Sequence, residues 1–69
     1  MRKVVLARMW QLPDGTCCLL LKDPRATSWE LRVTRGDEVL RAENFTSPIV
    51  AMERAKYWRN AYDPAVEAS

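Results

Sequence analysis

Apolar and polar side chains alternate through the middle of the chain. Residues 29–34 read Trp-Glu-Leu-Arg-Val-Thr, and residues 39–43 read Val-Leu-Arg-Ala-Glu. A period of two is typical of strands that are buried on one side. Gly36 begins a two-residue loop between them, and glycine in that place favours a type II′ turn. We therefore predict a β-hairpin with the cross-strand pairs Arg35–Glu38, Val33–Leu40 and Leu31–Ala42.

A helix is predicted directly after this hairpin. Ser47 can cap the free N–H groups of the first turn, and Pro48 suits the first helical position because it has no N–H. The residue before a proline avoids the α region, so Asp63 ends the helix. We expect residues 63–69 to form a frayed tail. The predicted buried face consists of Ala51, Ala55, Trp58 and Tyr62.

An earlier hairpin is predicted from two strands over residues 4–12 and 17–22, joined by the turn signal Pro13-Asp14-Gly15-Thr16. Both of its faces are apolar. A two-residue loop at Asp14-Gly15 would pair Gln11 with Cys18 and Met9 with Leu20. A longer loop would change which side chains face inward, and the pattern leaves this alternative open.

The pattern as a whole predicts an α+β fold of the order ββββα. Two hairpins form a four-stranded antiparallel sheet, and one C-terminal helix packs on one face of it. Residues 1–69 form a single small domain. The predicted core consists of Trp29, Leu31, Val33, Leu40, Ala42, Ala51, Ala55 and Trp58.

One helix covers only one face of a sheet, so the other apolar face of the first hairpin must contact a second copy, another protein or a ligand. We favour a homodimer. A chain of 69 residues also obtains little net stability from its own core. The residues expected to mediate self-association are Val5, Met9, Leu20 and Tyr57.

The composition argues against an enzyme. The chain has no histidine, which removes the commonest general base and metal ligand. Both glycines lie in tight turns, so there is no phosphate-binding loop. Glu30 and Glu43 could lie together on the outer sheet face, but a solvated surface charge is the simpler interpretation. We predict no catalytic residue and no cofactor.

The adjacent cysteines do not indicate a metal or redox site. Cys17 and Cys18 point to opposite faces of a strand, so they cannot pair with each other or chelate together. We interpret them as small apolar residues in a reducing compartment. No metal is predicted.

Arginines supply the main alternative to a protein-interaction role. The chain carries 11 basic and 9 acidic residues, a net charge of +2. Guanidinium groups bind phosphate and stack on bases, and Trp10 or Tyr57 could add an aromatic platform. Glutamates on the same hairpin cancel much of this charge. The candidate nucleic-acid contacts are Arg8, Arg32, Arg35 and Arg41.

The expected setting is the cytoplasm, without a membrane partner. No apolar run is long enough to span a bilayer, and no secretory signal precedes the first strand. Eight arginines against three lysines indicate a bacterial origin. The sequence therefore predicts a small non-enzymatic binding or interaction protein, with nucleic-acid binding as the alternative.

Overall fold

The computed structural model describes residues 3–62. The four strands pair antiparallel in chain order, and the helix packs on one face of the sheet. This confirms the predicted ββββα arrangement; the tail predicted for residues 63–69 lies outside the described residues. The elements are β1 (Val4–Gln11), β2 (Thr16–Lys22), β3 (Trp29–Arg35), β4 (Glu38–Phe45) and α1 (Pro48–Tyr62).

The core lies between α1 and the sheet. Two alanines on the buried stripe of α1 allow the helix to lie close to the strands, and Trp58 fills the remaining volume. Burying a leucine-sized side chain contributes about 1.5–3 kcal/mol, so a few such residues stabilise this small fold. The buried cluster consists of Cys18, Leu20, Leu31, Val33, Ala51, Ala55 and Trp58, with Met9, Trp10, Trp29, Leu40, Phe45 and Tyr62 packed against it.

The predicted cap of α1 is present. The backbone N–H of Val50 donates to the hydroxyl oxygen of Ser47 at 3.5 Å, and the N–H of Ala51 donates to the Ser47 carbonyl at 3.2 Å. The first turn of the helix is therefore fixed by the residue that precedes it.

The two hairpins turn differently. Gly36 has a φ of +59° and Arg35 pairs with Glu38, as predicted for a two-residue loop. The first loop has three residues instead: the N–H of Leu12 donates to the Thr16 carbonyl at 2.7 Å, and the N–H of Gly15 donates to the Leu12 carbonyl at 3.1 Å. A type I turn followed by a glycine in the left-handed region has this geometry, and φ of Gly15 is +92°.

Because this loop is longer, the register of the first hairpin differs from the predicted one. Cys18 pairs with Trp10 rather than Gln11, and Leu20 pairs with Ala7 rather than Met9. Two further irregularities in β1 fall at Leu6 and Met9, where the ladder skips a residue. The extra residue of a β-bulge shifts the alternation that follows it. Cys18 and Leu20 face the helix because they pair with Val33 and Leu31 of the buried face of β3.

The register of the second hairpin also differs from the prediction, because β4 contains a bulge. Val33 pairs with Arg41 and Leu31 with Glu43, so the predicted pairs with Leu40 and Ala42 are wrong. Leu40 is the extra residue, and every side chain beyond it changes face. Arg41 consequently lies on the helix side. Ala42, predicted for the core, is exposed on the opposite side of the sheet.

Candidate interaction surface

The side of the sheet away from α1 is here called the outer face. Its side chains form cross-strand rows that mix apolar and charged groups. Leu21 is buried within it, and Leu19 and Cys17 are half-buried. The rows, from β1 to β4, are Val5–Leu21–Glu30–Asn44, Arg8–Leu19–Arg32–Ala42 and Gln11–Cys17–Thr34–Val39.

Glu30 is the buried charge of the outer face. Its exposed fraction is 6 %, and its carboxylate accepts hydrogen bonds from the amine of Lys3 and, at 2.6 Å, from Nε of Arg32. Burial alone raises the pKa of Glu30, but the hydrogen bonds from Arg32 and Lys3 outweigh it and hold that pKa below its usual range. The buried carboxylate is therefore fully paired, by two cations.

The four predicted nucleic-acid contacts do not share one surface. Arg8 and Arg32 lie in the same row of the outer face, on either side of Leu19. Arg35 lies at the end of the sheet, where Nε donates to the Thr16 hydroxyl at 3.0 Å. Arg41 lies on the opposite side, with its guanidinium carbon 4.5 Å from the centre of the Trp58 ring. The structure therefore brings together only two of the four.

The aromatic residues lie away from the outer face. Trp10, proposed above as a stacking platform, donates its indole N–H to the Ala55 carbonyl at 2.7 Å and is packed against the core. Tyr57 is 75 % exposed, but on the helix. The remaining aromatic residues, Trp29, Phe45, Trp58 and Tyr62, belong to the core or pack against it.

The candidate groups for catalysis are dispersed. Glu30 lies in an outer-face row, whereas Glu43 pairs with Leu31 and lies on the helix side, so the two carboxylates do not face each other. Burial, with a smaller effect of neighbouring Cys17, raises the pKa of Cys18 to about 12. Within residues 3–62, no group of three or more metal-ligating side chains comes together.

Exposed apolar side chains are found instead along the β1 side of the molecule. Val4, Val5 and Leu6 follow one another in this edge strand, and each is about half exposed. Farther along the strand, Met9 lines a shallow depression with Ile49 and Met52 of α1, together with the charged residues Glu53 and Lys56. We call this surface the β1 margin, and it consists of Val4, Val5, Leu6, Met9, Ile49 and Met52.

Two of the residues predicted for self-association belong to the β1 margin. Val5 is 52 % exposed and Met9 is half-buried. Leu20 is buried beneath the helix and cannot contact a partner. Tyr57 lies elsewhere on α1, where it lines a depression with Val50 and Arg54. Val4 and Leu6 were not predicted, although the unbroken apolar run at the start of an edge strand could have indicated them.

The other edge of the sheet is different in character. β4 carries Glu38, Arg41 and Glu43, and Arg41 lies 3.6 Å from Glu43. Val39 is its exposed large aliphatic residue, with an exposed fraction of 53 %. Charged residues on an edge strand disfavour pairing with another chain.

Comparisons with known proteins do not identify a function for this surface. No protein-family model matches the chain, and no curated protein or solved structure shows significant similarity to it. In the part of the chain that the structure describes, no helix is long and apolar enough to cross a membrane.

Proposed function

We propose that this chain is a small non-enzymatic binding protein that acts through self-association, with the β1 margin as the contact surface. The observation that carries the proposal is the run Val4-Val5-Leu6, three consecutive large apolar residues, each about half exposed on an edge strand. Exposed apolar surface of this kind marks contact sites in folded proteins. A cytoplasmic location and a bacterial origin stay predictions.

The expected affinity is modest. Covering the exposed half of a valine or leucine contributes roughly 1 kcal/mol, whereas association costs about 4 kcal/mol or more in lost translational and rotational freedom. The strand run alone is therefore too small, and the contact must include the helix side of the β1 margin. Ile49, with an exposed fraction of 67 %, and Met52 supply that additional area.

Analytical ultracentrifugation from low micromolar to near-millimolar concentration tests the proposal. The mass of the wild-type chain should rise from 8.0 kDa towards that of a dimer. Leu6→Lys should remain monomeric throughout, because a lysine in the contact must be desolvated. Val39→Lys is the matched control, since Val39 is equally exposed on the other edge. A wild-type chain that stays at 8.0 kDa at the highest concentration would contradict the proposal.

Nucleic-acid binding is the second candidate, and it is supported by Arg8 and Arg32, which share one row of the outer face. It is supported less well than self-association, since Arg32 is already paired with Glu30 and the aromatic residues lie on the helix side. Calorimetric titration with single- and double-stranded oligonucleotides at low and moderate salt tests it.

Binding through phosphate contacts should weaken steeply as salt rises. Arg8→Gln should then reduce affinity, whereas Arg25→Gln in the exposed loop between β2 and β3 should not. If no heat of binding is measured even at low salt, the nucleic-acid candidate is wrong.

A further inference from the structure

We draw no further inference here: the strongest candidate, the exposed edge of β1 over Val4, Val5 and Leu6, belongs to the surface already proposed for self-association, and nothing in the structure shows what covers it.

Discussion

Glu30 is a charged residue whose burial depends on its partners. Its carboxylate lies in the outer face with little exposure, and Lys3 and Arg32 supply the hydrogen bonds that water would otherwise supply. Both cations are about one third exposed, so they can regain water if Glu30 is changed. Burial of the Glu30 carboxylate therefore requires Lys3 and Arg32, whereas the two cations do not require Glu30.

Replacing this carboxylate should lower stability. For Glu30→Gln, we expect the free energy of unfolding at neutral pH to fall by about 1–2 kcal/mol, because charge-assisted hydrogen bonds are lost. Urea denaturation followed by circular dichroism measures the change. Glu53→Gln on the exposed surface of α1 is the control and should be nearly neutral. Equal loss in both variants would show that the pairing of Glu30 is unimportant.

The pH dependence of stability follows from the same group. The pKa of Glu30 is lower in the folded chain than in the unfolded chain. Its contribution is therefore complete above the unfolded pKa and is lost as the pH falls through the folded pKa. Between neutral pH and the acid limb, wild type should lose stability more steeply than Glu30→Gln. Parallel curves of unfolding free energy against pH would contradict this.

Arg41 was predicted on the outer face of the sheet but lies on the helix side. Its guanidinium group packs on Trp58, and removal of a cation from a ring face costs about 0.5–1 kcal/mol. We expect Arg41→Ala to lower the free energy of unfolding by that amount, measured in urea. Arg25→Ala, in a loop, should leave it unchanged.

At the scale of the elements, loop lengths and strand bulges determine which side chains face the core, and the alternation pattern does not show them. The strands, the helix and the turn at Gly36 follow from side-chain period, capping and turn residues, and all were predicted. The bulges at Leu6, Met9 and Leu40 were not, because one extra residue leaves a short apolar–polar pattern almost unchanged. Those bulges determine which residues are inside.

The candidate surface was predicted only in part for the same reason. The surplus of apolar residues in the first hairpin was visible in the sequence, and Val5 and Met9 are found on the β1 margin. Leu20 was misplaced because the pattern did not show which face of β2 the helix covers; Leu20 pairs with Leu31 of β3 and shares its buried face. Arg41 was misplaced by the bulge in β4.

The three-residue loop depends on Gly15. A left-handed conformation costs an ordinary residue roughly 1–2 kcal/mol, and asparagine less. No atom lies within 4 Å of a Cβ added there, so steric contact adds nothing. Gly15→Ala should therefore lower the free energy of unfolding by about 1 kcal/mol, and Gly15→Asn by less. Thermal denaturation ranks the variants; an unchanged Gly15→Ala would exclude backbone strain at this turn.

Trp10 connects the edge strand to the helix. Its indole N–H donates to the Ala55 carbonyl, and its ring lies 6.3 Å from that of Tyr62. Trp10→Phe keeps most of the ring but removes the donor, so we expect a loss of about 1 kcal/mol. Hydrogen exchange should locate the effect in α1 and β1. Uniformly faster exchange over all four strands would contradict a local role.

For the whole molecule, the decisive contrast is between its two edges. The proposed self-association uses the apolar residues of β1, whereas the charged residues of β4 disfavour pairing at the other edge. If association contributes to stability, the melting temperature should rise by a few degrees for each tenfold increase in protein concentration. Leu6→Lys should melt at the same temperature at every concentration. Val39→Lys should retain the dependence.

The placement of the three tryptophans has a spectroscopic consequence. Trp58 is buried in the core, and Trp10 and Trp29 pack against it from the strands, all on the side covered by α1. Detachment of the helix would move all three indoles into water together, even if the strands stayed paired. Their emission wavelength therefore reports helix docking. An emission change that precedes loss of the far-ultraviolet strand signal would show that the sheet persists after the helix has detached.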